Sequence, residues 1–164
     1  MSAFTFTPMS YADFKTFWPA FQQIVAAQET YAIEPDITRD DAYRLWFISP
    51  RTTFVVKDAT GGILGTYYLK ANAAGPGDHV CNCGYMVADA ARGKGVARAM
   101  CEHSQQQARE LGFCAMQFNA VVSTNDVAVA LWQRLGFAIV GTVPGAYRHA
   151  QYGDVDTHVM YKAL

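Results

Sequence analysis

The stretch from Asn82 to Leu111, NCGYMVADAARGKGVARAMCEHSQQQAREL, constrains this chain more than any other. It reads as a strand, a short polar turn and a long helix. At the junction stands Arg92-Gly93-Lys94-Gly95-Val96-Ala97. Two glycines so close let the backbone turn sharply and bring its N–H groups against a ligand. The helix that begins there adds unpaired N–H groups and the positive end of its dipole. Together these make an anion site suited to phosphate. Arg92 and Lys94 add charge, and an arginine can grip phosphate with two parallel hydrogen bonds. The two commonest phosphate signatures are absent. No Gly-x-x-x-x-Gly-Lys-Ser/Thr run occurs, and Arg98 stands where a dinucleotide fingerprint wants its third glycine.

Arg92-x-x-Gly95-x-Ala97 resembles the pyrophosphate loop of the GCN5-related N-acetyltransferases (GNAT). A second segment, Asn125-Asp126-Val127-Ala128-Val129-Ala130-Leu131-Trp132-Gln133-Arg134-Leu135-Gly136-Phe137, resembles the later motif of the same superfamily, Asn-x-x-Ala-x-x-Leu-Tyr-x-x-x-Gly-Phe. Two independent motifs in the right order identify the chain as similar to that superfamily over nearly its whole length. Phe118-Asn119 and Ser123-Thr124-Asn125, with Leu131-Trp132 in place of Leu-Tyr, further resemble a branch that acetylates azetidine-2-carboxylate and related proline analogues. Paired asparagines six residues apart lie near the reacting centre in that branch, and Asn119 and Asn125 keep that separation.

Composition sets outer bounds. The 164 residues suit one domain, 1–164, with a good core. Half the residues are apolar (51%) and 13% are aromatic, which excludes a disordered chain. Thirteen basic against fourteen acidic residues leave a net charge of −1 with no basic run, which argues against nucleic acid. Met1–Pro8 lacks a charged-then-apolar leader pattern, and no apolar run reaches membrane-span length. The four cysteines form no Cys-x-x-Cys. A reduced, cytoplasmic protein with no membrane partner is expected. His79, Cys81 and Cys83 alternate and would share one strand face. A fourth ligand is not evident and buried cysteine behaves as a small hydrophobe, so no metal is expected.

Taken in order, Phe4–Met9 reads as a strand, and Ser10 with Asp13 as a capping box opening a helix with Phe14, Phe17, Trp18, Phe21, Ile24 and Val25 on one face. Met9 and Phe14 stand as a hydrophobic staple. Pro19 should kink that helix or shorten it. Glu29–Pro35 connects to a second helix, capped by Thr38 and closed by Pro50. Thr53–Lys57 and Ile63–Leu69 are strand-like about a turn at Gly61-Gly62, and Val80–Val87 leads into the glycine loop. The helix after it ends at Gly112. Cys114–Val121 is the next strand, then a helix from Ser123-Thr124-Asn125 to Gly136, a short strand Ala138–Gly141, a long polar loop Val143–Gly153 and a last strand Val155–Lys162. This α/β order, β-α-α-β-β-β-α-β-α-β-β, predicts a mixed sheet with helices on both faces. It is also the fold that the resemblance implies.

The resemblance implies more. Two central parallel strands, here Val80–Val87 and Cys114–Val121, splay apart, and the pantetheine arm of acetyl-CoA lies between them. Backbone groups of Tyr85, Met86 and Val87 hold that arm, Arg92, Gly93, Lys94, Gly95, Val96 and Ala97 hold the pyrophosphate, and Asn125 contacts the arm near the thioester. The Glu29–Pro35 connection lines the acceptor pocket, making Glu29 and Tyr31 candidates, and Tyr147 lies on the polar loop expected to cover it. Asn119 is given a catalytic, substrate-positioning role. An amide in an otherwise apolar strand is costly without partners.

Acetyl transfer needs a base for the amine, a donor for the oxyanion, for which an N–H near Val87 is suited, and an acid for the thiolate. Glu29, Glu34, Asp89, His79 and His149 are base candidates by type. Where the family often has a tyrosine acid this chain has Trp132, whose indole is suited to packing; Tyr85, Tyr147 or water remain. The leading expectation is an acetyl-CoA-dependent N-acetyltransferase acting on a small-molecule amine or amino acid. A protein or peptide N-acetyltransferase and a non-catalytic CoA-binding sensor are the alternatives, and a homodimer stands among the partner expectations.

Overall fold

A computed structural model describes residues 4–164. The first three positions of the Met1–Pro8 stretch, read above for a leader pattern, lie outside the described residues. The described chain forms one seven-stranded sheet in the order β1-β2-β3-β4-β5-β7-β6. The strands are β1 (Thr5–Pro8), β2 (Thr52–Lys57), β3 (Ile63–Ala71), β4 (Val80–Val87), β5 (Ala115–Val122), β6 (Ala138–His149) and β7 (Gly153–Ala163). The helices are α1 (Tyr11–Ala26), α2 (Arg39–Tyr43), α3 (Val96–Glu110) and α4 (Asp126–Arg134). A π-helical turn, Arg44–Ile48, continues α2. Only β4 and β5 run parallel; the other neighbouring pairs are antiparallel. A parallel pair needs a long crossover, and α3 supplies it. Among the described residues no helix is long and apolar enough to cross a membrane.

The sheet buries both faces, each under its own helices. Phe14, Phe17, Phe21 and Val25 of α1 pack with Trp46, Val55 and Met86 on one side. Met100, Cys101 and Ala108 of α3 and Trp132 of α4 pack with Tyr67, Leu69, Cys83, Met116 and Phe118 on the other. The α1 start is set locally. Ser10 Oγ accepts from Asp13 N–H (3.1 Å), and Asp13 accepts from Ser10 N–H (2.9 Å). Met9 and Phe14 are both buried beside it, as a staple requires. Asp13 also meets Lys57 of β2 at 2.8 Å. Burial alone would raise that carboxyl, but the Lys57 and Ser10 hydrogen bonds bring it below its ordinary value. Cys81 and Cys83 are buried, the Cys81 thiol pushed up by desolvation to about 12, while His79 is exposed.

Of the kink or shortening expected at Pro19, the shortening does not occur, and a loop expected later in the chain is not a loop. Pro19 does not shorten α1, which runs unbroken from Tyr11 to Ala26. Pro19 is exposed, so the Lys15 carbonyl it leaves unpaired faces water, and the buried aromatic residues on both sides of it outweigh one lost bond. The loop expected over Val143–Gly153 is strand instead. β6 pairs with β7 through Val143↔Thr157, Tyr147↔Val155 and His149↔Gly153, and register shifts between Val143 and Tyr147 absorb Pro144 and Gly145. A proline is tolerated there because β6 is the edge strand, and its solvent-facing side explains the polar composition.

Pro19→Ala restores the missing N–H at an exposed helix position. Chemical denaturation should show a gain of about 2 kcal/mol, the helix-interior penalty less the added unfolded-state entropy. No gain would mean that the proline ring contributes packing.

Candidate active site

β4 and β5 pair only through Val80↔Ala115, Cys81↔Met116 and Asn82↔Gln117. Beyond that point each strand continues, to Val87 and to Val122, without the other. Three rings crowd the gap from the α3–α4 side. Trp132 stands 5.0 Å from Tyr85 and 5.3 Å from Phe118, and Tyr85 and Phe118 meet edge-on at 5.8 Å. Tyr85 is pinned to α3 by a 2.7 Å hydrogen bond between its hydroxyl and that of Ser104. A register shift between Phe118 and Val121 bends β5 away. The result is a cavity of about 970 Å³ that runs through the sheet from the α3 start to the α1–α2 connection.

The parity of the β3–β4 ladder decides which backbone groups face this cavity. Asn72 N–H donates to Val80 C=O (2.8 Å) and Ala88 N–H to Leu64 C=O (2.9 Å). In an antiparallel pair the bonded residues alternate, so Asn82, Gly84 and Met86 direct their backbone to β3. Cys83, Tyr85 and Val87 direct theirs toward the missing β5. Tyr85 and Val87 therefore offer unpaired strand backbone to the cavity. Met86 turns its backbone to β3 and its side chain lies under α1, although it too lines the cavity. The Tyr85 carbonyl already accepts a 2.6 Å bond from the Tyr31 hydroxyl.

At the other end lies the start of α3. Gly93 and Gly95 both take positive φ, 74° and 80°, and an added Cβ at either meets nothing within 4 Å. Ser10, Thr38 and Asn125 cap the other three helices with their side chains, but Gly95 leaves α3 without a side-chain cap and no acidic residue stands in its first turn. The first helical bond is Ala99 N–H to Gly95 C=O (3.0 Å), so the N–H groups before it have no intrahelical partner. Arg92, Gly93, Gly95, Val96 and Ala97 line the cavity; Lys94 does not. Arg92 lies 3.4 Å from Asp89, both exposed. Asn125 lines the cavity too, its Oδ1 capping α4 through Ala128 N–H (3.4 Å) and its Nδ2 without a partner among the described residues.

On the α1 side the wall includes Glu29, Tyr31, Trp46, Tyr68, Lys70, Asn82, Asn119 and His149. Tyr147 is buried behind it, donating to the Tyr31 carbonyl (3.2 Å), while Ala150 N–H donates to Gln28 C=O (3.1 Å). Through these two bonds the β6–β7 hairpin tip closes the acceptor-side end of the cavity. Gln28 holds φ at 53°, an unusual value outside glycine, where α1 turns into this connection. His149 accepts from Gln151 N–H at Nδ1 (3.0 Å), so a neutral ring carries its proton on Nε2 and can only donate from there. Of the five base candidates, Glu34, Asp89 and His79 are off the wall, and Glu29 is its one carboxylate among the described residues. Burial pushes the Tyr31, Tyr68 and Tyr85 phenols well above their ordinary value, with the Cys83 thiol adding to each, which keeps them protonated donors. Asn119 is exposed on the wall, accepting from Gln117 Nε2 (3.0 Å) and donating to Asn72 Oδ1 (2.7 Å). Tyr68, Lys70 and Asn82 escaped the sequence reading. Tyr68 and Asn82 fell inside the expected strands Ile63–Leu69 and Val80–Val87 and Lys70 just past the first, and none of these readings says which face meets a cavity.

The chain was compared with known proteins. Residues 15–137 match the model of the acetyltransferase (GNAT) family. An N-acetyltransferase of Schizosaccharomyces pombe is 31% identical over 147 residues, which take in 80% of this chain and 70% of that one. The structure of a GCN5-related N-acetyltransferase from Kribbella flavida superposes with a TM-score of 0.94 at 46% identity, over 99% of this chain and 98% of that one. A Salmonella typhimurium acetyltransferase, solved with its cofactor acetyl-CoA, shares the fold at a TM-score of 0.82 and 19% identity, over 99% and 95% of the two chains. The chain belongs to the GNAT family of acetyltransferases.

Proposed function

We propose that this N-acetyltransferase moves the acetyl group of acetyl-CoA to the amine of a small molecule or amino acid. One observation carries the reading: a single cavity joins an uncapped helix start to a run of unpaired strand backbone and then to a closed polar end. The pyrophosphate rests on the N–H groups of Gly93–Ala97 with Arg92 beside it. Lys94, off the wall, adds only its field. The pantetheine arm pairs with Tyr85 and Val87 as an added strand would, and Asn125 Nδ2 donates to the same arm. Met86 supports the arm only by fixing β4 in the core.

The acceptor enters beside Glu29 and Tyr31. An alkyl amine is mostly protonated at neutral pH and must lose that proton to attack. Glu29 takes it through water, as the carboxylate on the wall. The N–H of Val87 faces the developing oxyanion. The thiolate, whose conjugate acid has a pKa near ~8.5, leaves with little help, and Trp132 packs against Tyr85 without titrating. The hairpin tip docked on the connection, by Tyr147 and Ala150, favours a small acceptor over a peptide.

Three measurements test this. Gly95→Val should weaken CoA binding at least about tenfold, since a side chain now stands where the pyrophosphate approaches. Gly112→Val, at the far end of the same helix with φ 87° and equal open space, imposes the same backbone strain away from the cavity. It should lose comparable stability and keep its CoA affinity; parallel losses of affinity would make strain the cause. Glu29→Gln should lower kcat about tenfold or more with CoA affinity unchanged, whereas Trp132→Phe should leave the pH profile of kcat in place. A basic limb lost in Trp132→Phe at unchanged stability would contradict the packing role. Asn119→Ala should lower acceptor kcat/KM about tenfold or more, the loss of one hydrogen bond used in the transition state. Its CoA affinity should hold. A melting temperature that falls while kinetics per folded molecule stay put would make Asn119 structural.

A further inference from the structure

Lys70 of β3 is the unpaired charge of the acceptor side. Its register partner is Asn82, which in turn faces Gln117 of β5. Side chains opposite one another across a sheet share a face, and so do residues two apart along a strand. Tyr68, Lys70, Asn82, Gln117 and Asn119 therefore stand on one surface, turned away from α3. Their polar groups are linked almost end to end. Tyr68 donates to Asn82 Oδ1 (3.0 Å), Asn82 Nδ2 to Gln117 C=O (3.0 Å), Gln117 Nε2 to Asn119 Oδ1 (3.0 Å) and Asn119 Nδ2 to Asn72 Oδ1 (2.7 Å). Lys70 takes no part. Among the described residues its ammonium has no hydrogen bond and no ion pair, and it lies 5.4 Å from the centroid of the Tyr68 ring.

Lys15, over the Tyr11 ring, and Lys94 are exposed and off the cavity wall, and the two remaining lysines are paired. Lys57 binds Asp13, and Lys162 donates to Gln105 Oε1 (2.6 Å) and Leu135 C=O (2.7 Å). Lys70 is half-buried on the cavity wall, over the ring of Tyr68 and opposite Asn82 in the ladder. Its ammonium carries three donors, none of them bonded to an acceptor among the described residues. The same wall carries one carboxylate, Glu29. An amine acceptor that also bears an anion would meet both, its amine toward Glu29 and its anion toward Lys70.

We propose that Lys70 sets acceptor specificity by binding a carboxylate on the acceptor, so that free amino acids are preferred over amines of the same skeleton without the acid. This rests on the acetyltransferase reading above. The carboxylate accepts charge-assisted hydrogen bonds from the Lys70 ammonium in the shelter of the Tyr68 ring. The same positive charge disfavours diamines and other cationic acceptors.

The test uses the full chain with acetyl-CoA and measures thiol release against a panel of the common amino acids. Each is paired with its amide and its decarboxylated amine. The free acid should exceed its amide at least about tenfold in kcat/KM, with the difference carried by KM. Lys70→Gln should bring that ratio close to one, and Lys70→Arg should restore most of it. CoA affinity and melting temperature, read on the same preparations, should stay within error of the parent. Equal use of acid and amide by the parent protein overturns the proposal, as does a Lys70→Gln variant that keeps the preference. Turnover of amines without carboxylates at a kcat/KM equal to or above that of the free acids would leave the acetyltransferase reading standing while removing this one. CoA binding with no thiol release from any acceptor would overturn both.

Discussion

The rest of the molecule depends on a separation: β4 and β5 hold together for three residue pairs and then part. A sheet interrupted in its middle has two internal edges, and buried backbone groups left without partners cost free energy. The protein tolerates this because rings occupy the split where it begins. Tyr85, Phe118 and Trp132 fill the α3–α4 side, and the register shift in β5 turns that strand outward. Asn82 Nδ2 bonded to the Gln117 carbonyl ties the last paired position, so the opening starts at a defined residue. Past that residue the strands part around the cavity, and β4 turns alternate backbone groups toward it.

The two sides of the cavity divide the work. α3 and α4 present an uncapped helix start and a half-used asparagine, groups suited to a phosphate-bearing chain. The α1–α2 connection and the β6–β7 hairpin present Glu29, Tyr31 and His149 around Tyr68 and Lys70. Tyr31 joins the sides, since its hydroxyl reaches the Tyr85 carbonyl through the opening while its own carbonyl is held by Tyr147. The position of the α1–α2 connection is thus tied to the β4 backbone that faces the cavity.

Much of this was legible in the sequence wherever the determinant was local. Ser10 with Asp13, Met9 with Phe14, and Gly93 with Gly95 each act within a few residues, and each announces itself by type and spacing. The order of elements came from periodicity in the same way. Pro19 and the Pro144–Gly145 region misled because their outcome is decided by burial and by edge position, which no local window carries. Parity was equally hidden. Tyr85, Met86 and Val87 look alike in a strand, and only the β3–β4 register turns the middle one away. Lys70 is the extreme case: it fell just beyond the expected strand Ile63–Leu69, and only the fold extends β3 over it and says that its face is the one with the cavity.

The missing cap on α3 bears on product release. Acetyl-CoA and CoA carry the same pyrophosphate, so a helix start that grips it holds substrate and product equally. Uniform binding of that kind lowers KM without accelerating the chemical step. Whatever distinguishes the loaded carrier from the spent one must come from the few groups around the thioester, Val87 and Asn125 among them. An enzyme that held its carrier in this way would be open to competition from its own spent carrier.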